Sequence, residues 1–264
     1  MFPQSLVAGA TCPKKFEDRS SHGTCHAVAL REGGFTLIEL LVVMAIIGIL
    51  MVLVAPAFTN IKSGTDVTSA ANTVKGVLDT ARTYAMANNT YTWVGFYEED
   101  VSSTTPGAAG MGRLVMAIVA SKDGTNVALS AGPINATTLT QVGKLTKIEN
   151  VHLATNLPVG SGASPSLTFD TRRPVANPQY CLGDTANSTT PFQYPAGSPY
   201  TFRKAVQFSP RGEAQINNST NSLQTAAEIG LVPTHGNATP SSLPANVVAI
   251  QLTGVGGNVI IYRR

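Results

Sequence analysis

The sequence predicts an α+β chain, with one long N-terminal helix, membrane-spanning in its first half and amphipathic in its second, packed on a mostly antiparallel β globular head. Three observations carry the prediction. An apolar run from Phe35 to Phe58 contains a single ionisable residue, Glu39, and reaches the ~20 apolar residues that a bilayer-crossing helix needs. Val67, Ala70, Ala71, Val74, Val77, Leu78, Ala81 and Ala85 then recur at three- and four-residue steps, the period of one helix face. Beyond Asn89, short β-branched and aromatic segments alternate with stretches rich in Gly, Pro, Ser, Thr and Asn, the pattern of strands joined by turns.

The segment before the apolar run, Met1 to Gly34, has no long apolar stretch of its own, and Lys14, Lys15, Arg19 and Arg31 favour its retention in the cytoplasm under the positive-inside rule. A secretory signal peptide would place its cleavage site after the apolar region; here Gly33-Gly34 stands before it. Cys12, His22, Cys25 and His26 do not have the spacing of common zinc fingers. Thr36 and Glu39 have capping-box spacing, so the hydroxyl and carboxylate can satisfy free N–H groups at a helix start. A carboxylate at a bilayer centre costs about 2.5–3.5 kcal/mol on insertion scales, which leaves a second reading, in which Glu39 awaits a positive partner.

The nonapeptide Gly34-Phe35-Thr36-Leu37-Ile38-Glu39-Leu40-Leu41-Val42 resembles the class III signal of type IV pilins and of the pseudopilins of type II secretion. The resemblance implies a precursor cut after Gly34 on the cytoplasmic side by a prepilin peptidase, which also N-methylates Phe35. It implies that Glu39 pairs with the N-terminal amine of an adjacent subunit during filament assembly. Pro56 falls where family members commonly carry a helix-disturbing proline, and bends at Gly48 and Pro56 are implied likewise. The leader is longer than the family's, and a start near Val28 is an alternative to Met1. The organisation expected is a cleaved leader over 1–34, a transmembrane or filament-core helix over 35–62, an amphipathic continuation over 63–89 and a pilin-like β-rich head over 90–264.

In the amphipathic part, Asp66, Lys75, Asp79 and Arg82 lie largely off the apolar stripe, and Asn88-Asn89 suits a helix C-terminus. Gly64 marks the junction with the apolar half. Strands are expected at 90–97, 113–120, 145–153, 166–169, 205–208, 214–216, 247–252 and 259–262. Asp123-Gly124 offers a hairpin turn before 127–129, and 222–229 reads as a short helix. Loops fill 102–112, 158–165, 173–199 and 234–244, of which 173–199 is long for a compact domain.

The stretch from Val77 to Asn89, with Ala81-Arg82, Ala85 and Asn88, resembles the helix end of H-type minor pseudopilins and FimT-like minor pilins. Phe208-Ser209-Pro210-Arg211-Gly212 is similar to a Phe-x-Pro-x-Gly turn late in that subfamily, and a terminal hairpin around Gly254, Gly256 and Gly257 agrees with it. The segment before Ala205 departs from a compact head of that kind.

Only 12% of residues are charged, and the net charge is +3; removing the residues before Phe35 leaves +2, too weak a balance to imply nucleic acid by itself. After that removal Cys181 is alone, so no intramolecular disulfide is expected. His152 and His235 have no metal-ligand spacing. Gly254-Val255-Gly256-Gly257 lacks the spacing and following helix of a phosphate loop, and Asp170 and Asp184 lack a dense calcium-binding loop. No enzyme activity, cofactor or metal is expected. The partners implied by the resemblance are the prepilin peptidase, other pilin or pseudopilin subunits and the bacterial inner membrane, with the chain single-pass, leader cytoplasmic and head periplasmic. The function implied is that of a minor pseudopilin or pilin precursor assembled into an inner-membrane-based filament for type II protein secretion. Two alternatives stand beside it. One is DNA capture in competence through Arg263 and Arg264, with Arg172, Arg173, Arg203 and Lys204; the other is a membrane-anchored surface protein that never polymerises.

Overall fold

A single helix, α1, runs over Leu37–Ala87 and is helical across Gly48, Pro56 and Gly64. A computed structural model of the chain describes residues 36–129, 132–154, 157, 171–173, 175, 180–183, 190–216, 223–241 and 244–264, with the backbone alone described for 52–66. The leader 1–34, Phe35, the expected strand at 166–169, the loop at 158–165, Asp170 and Asp184 lie outside the described residues. The chain divides into two compact units, Met1–Leu50 and Met51–Arg264.

In the second unit α1 buries the stripe that its spacing predicts: Val67, Ala70, Ala71, Val74, Leu78, Ala81 and Ala85 are each at most 1% exposed. The four alanines let the helix backbone approach the sheet closely, where they meet Val94, Phe96, Leu114, Met116, Val206, Phe208, Ile229 and Ile250. The helix ends as the asparagines suggest. Asn89 takes φ 48°, the Thr90 N–H reaches Ala85 O at 3.0 Å, and the Asn88 amide donates to Tyr84 O, which together satisfy last-turn carbonyls. Thr92 Oγ1 then ties the next strand to Ala81 O at 3.0 Å.

Eleven strands follow in the described residues: β1 (Thr92–Asp100), β2 (Gly112–Ser121), β3 (Leu139–Gln141), β4 (Thr146–Ala154), β5 (Phe192–Gln193), β6 (Thr201–Phe202), β7 (Lys204–Phe208), β8 (Ala214–Ile216), β9 (Ala226–Pro233), β10 (Val248–Thr253) and β11 (Val259–Arg263). The main sheet has the order β11-β10-β9-β4-β2-β1-β7-β8, with β3 paired to the far end of β2, and β5 and β6 form a small ribbon. Every named strand pair is antiparallel.

Central strands are buried on both faces. Val94 and Phe96 of β1 face the helix, while Trp93 faces a second core with Val115, Val119, Leu139, Phe192 and Phe202. That second core comes from the β5–β6 ribbon and nearby turns, so residues 190–202 form a layer over the sheet. Gly95 makes room for it: a Cβ there would lie 2.6 Å from Phe192 and Phe202.

Three expectations are corrected. The short helix expected at 222–229 is absent from its described part, 223–229, because β9 occupies Ala226–Pro233 between β4 and β10. Every residue of β9 is buried, and sheet pairing outweighs the helix preference of Ala226-Ala227-Glu228. The turn at Asp123-Gly124 exists, with Gly124 at φ 75°, but Val127–Leu129 is a 3-10 turn, and the strand returning onto β2 is β3. The strand β5 lies inside the 173–199 stretch expected as loop, and β6 follows just after it.

Candidate functional site

Thr36 precedes the first residue of α1, and its Oγ1 accepts the Glu39 backbone N–H at 3.3 Å, the forward half of a capping box. The Glu39 carboxylate itself makes no hydrogen bond or ion pair among the described residues. Every residue from Thr36 to Met51 is exposed, with Leu37 at 81% and Met51 at 69%. A soluble helix hides an apolar stripe and wets the other face; this segment presents apolar side chains all round. Among the described residues no helix is long and apolar enough to cross a membrane. The rest of the expected span falls in 52–62, whose side chains are outside the described ones, as are Gly34 and Phe35.

The turns that carry the finer resemblance meet at one point of the head. Arg82 Nε donates to Gly212 O at 3.4 Å, and the Ala214 N–H donates to Gly254 O at 2.7 Å. Gly257 takes φ 60°, and a Cβ on it would stand 2.0 Å from Gly212 O and 2.9 Å from Arg82 Nε. Arg82, the 209–212 turn and the terminal hairpin therefore lock together around a position that only glycine fills without strain. This is a packing device with no chemistry of its own.

The basic residues proposed for DNA are not brought together. Arg172 is corrected outright: its side chain is fully buried and its Nε lies 3.0 Å from Glu228 Oε2, so it cannot meet a phosphate. Arg173 is exposed, with its backbone bonded to Gln251. Arg203 and Lys204 line a cavity of about 400 Å³, where Lys204 Nζ bonds Gly183 O at 3.1 Å and lies 3.9 Å from Glu98. Arg263 and Arg264 are exposed at the end of edge strand β11.

Sequence reasoning missed the carboxylates at the end of β1. Glu99, 3% exposed, accepts the Gly107 N–H at 2.8 Å, Arg113 Nη1 at 3.0 Å and the Tyr200 hydroxyl at 3.1 Å, with Lys147 Nζ at 3.7 Å. Burial pushes its pKa up, but these bonds and cations outweigh burial and leave it lowered. Glu98 bonds His152 Nδ1 at 2.6 Å and the Leu153 N–H at 2.9 Å. Alternation in 97–100 would have placed the two glutamates on opposite faces, but nothing local names their partners. His152 is thus held in an ion pair or hydrogen bond, and among the described residues no group of three or more His, Cys, Asp or Glu side chains is placed to hold a metal. Cys181 is buried.

Residues 30–55 match the family model of the prokaryotic N-terminal methylation motif, a span that contains Gly34, Phe35 and Glu39. The match supports a type IV pilin-like precursor, with the processing by prepilin peptidase and the assembly with other pilin subunits that such a motif implies. No curated protein and no solved structure matches the chain.

Proposed function

We propose that the chain is a minor pseudopilin or pilin precursor, cut between Gly34 and Phe35, methylated on Phe35 and assembled into an inner-membrane-based filament serving type II protein secretion. The carrying observation is the segment Leu37 to Met51, an apolar helix exposed on all sides whose lone carboxylate, Glu39, has no partner among the described residues. In this reading the helix waits in the inner membrane with the head in the periplasm, then is reburied against other subunit helices. Glu39 meets the new α-amino group of a neighbour, where low dielectric strengthens the pair. The head works by packing and contact and performs no reaction. Convergence of Arg82, Gly212 and Gly257 supports the H-type or FimT-like subfamily.

Replacing Gly34 with a bulky residue tests the processing step. In cells carrying the peptidase, the wild type is expected to lose the leader mass and gain a methyl group, whereas Gly34→Leu stays at precursor mass; unchanged cleavage of the variant sinks the claim. Glu39→Ala separates a filament subunit from a simple anchor. Membrane localisation should persist and co-purification with filaments should vanish; incorporation at the wild-type level would reduce Glu39 to a helix cap, and a wild type that never co-purifies with filaments would favour the non-polymerising anchor.

A further inference from the structure

On the face of the sheet opposite α1, Gln207 of β7 stands opposite Trp93 of β1 and Gln215 of β8. The Trp93 indole N–H donates to Gln207 Oε1 at 3.1 Å. An indole nitrogen can only donate, so this bond fixes the amide's orientation and turns its NH2 group the other way. Gln207 is only 3% exposed, yet that NH2 group has no hydrogen-bond partner among the described residues. It lines a cavity of about 140 Å³ shared with the polar Asn126, Ser209, Glu213 and Gln215 and with Tyr91 and Leu223 as apolar walls.

The other walls repeat the logic. Asn126 Oδ1 accepts the Ala128 N–H at 3.2 Å, which leaves its NH2 group as a second donor. One oxygen of Glu213 accepts from Ser209 Oγ at 3.0 Å, leaving the other as an acceptor. The Gln215 amide offers both kinds, and the Tyr91 ring, stacked at 25° on Trp93, supplies an apolar flank. A carboxylate here disfavours an anion, two amide NH2 groups with a single carboxylate disfavour a metal cation, and an apolar ligand would leave the amides unmatched.

A ring of hydroxyls, each both donor and acceptor, satisfies all of these groups at once. The volume equals about five waters at ~30 Å³ each and falls below the ~300–1,000 Å³ of drug-sized sites, so one ring fills it. We infer that this cavity binds a single pyranose-sized sugar, either free or as the end of a glycan.

Trp93 is the sole tryptophan and touches the site through Gln207, so its fluorescence reports occupancy. The full chain, in a detergent without a sugar head group, is titrated to ~100 mM with glucose, galactose and N-acetylglucosamine and with their short oligosaccharides, spanning affinities down to weak millimolar binding. The expected result is a saturable change with at least one sugar. Gln207→Glu keeps an acceptor for the indole and removes the donor, and should weaken binding about tenfold or more. Gln215→Ala lies on edge strand β8 and decides the matter if Gln207→Glu does not fold; it should weaken binding about threefold. Equal affinity for mono- and oligosaccharide supports a free sugar, and tighter oligosaccharide binding supports a glycan end. No saturable change with any sugar, or binding unaltered in both variants, overturns the inference.

Discussion

Arg172→Met tests whether residues 171–173 are held to the sheet by a buried ion pair. The Arg172 side chain is 0% exposed and Glu228 is 2% exposed. Arg172 Nε lies 3.0 Å from Glu228 Oε2, its Nη2 lies 2.6 Å from Leu157 O, and Gln251 Nε2 donates to the same Oε2 at 2.9 Å. Losing the guanidinium strips the carboxylate of its counter-charge and Leu157 O of a donor. Removing one member of a buried pair costs about 3–5 kcal/mol, most of it the uncompensated charge. A chain of this size shifts by ~2–4 °C per kcal/mol, so melting should fall by roughly 6–20 °C. Thermal unfolding of the full chain in detergent, followed by circular dichroism, measures it. Adding Glu228→Gln to Arg172→Met removes the stranded charge and should restore at least half of the loss. A loss below ~1 kcal/mol for the single variant, or a double variant as unstable as the single one, would refute the reasoning.

Gly257→Ala places a methyl group 2.0 Å from Gly212 O at φ 60°; strain of this kind costs of order 1–3 kcal/mol, and urea unfolding should show it, whereas Gly48→Ala meets no atom within 4 Å and should not destabilise. Acid should weaken the head through two depressed carboxylates. Hydrogen bonds from Ser121 and Thr125 hold Asp123 at about 2, and Glu99 is lowered in spite of its burial. A depressed folded-state pKa gives stability that is present above the unfolded value and is lost as pH falls through the folded one. The denaturation midpoint of wild type and Glu99→Gln should therefore converge as pH drops below ~4.5, the ordinary glutamate range, while the effect of Asp123→Asn should fade from pH 3.8 downwards and be gone near pH 2. A gap between wild type and Glu99→Gln that widens on acidification would contradict the assignment.

How much of this was legible in the sequence depends on how local each signal is. The buried stripe from Val67 to Ala85 and the stop at Asn88-Asn89 were readable because one helix face meets one surface. Most long strands were readable because β-branched and aromatic residues mark them even when both faces are covered. Residues 226–229 misled because Ala-Ala-Glu favours helix locally, and the sheet partners that decide otherwise lie on β4 and β10. Arg172-Arg173 looked like an exposed basic pair because the glutamate that buries Arg172 is 56 residues away. The ribbon of β5 and β6 escaped notice because two-residue strands carry no period. Of the candidate site, Gly34, Phe35 and Glu39 were legible as one contiguous motif, whereas the polar cavity draws its walls from Tyr91, Asn126, Gln207 and Gln215 and has no linear trace.

The described carboxylates divide into two kinds, and the division bears on how the chain works. Glu98, Glu99 and Glu228 in the head each have cations or N–H donors of their own, and the apolar residues of α1 that face the sheet are covered. Glu39 has neither a cation nor a donor among the described residues, and Leu37 to Met51 have no cover. Two things are therefore missing from this segment, an apolar surround and a positive charge. A lipid bilayer supplies the first and raises the cost of lacking the second. In the proposed filament, neighbouring copies would supply both together, their helices giving the surround and a cut Phe35 the amine. That asymmetry is the reason Glu39→Ala should spare membrane residence, or even favour it, while removing the selective gain from leaving the membrane for a filament.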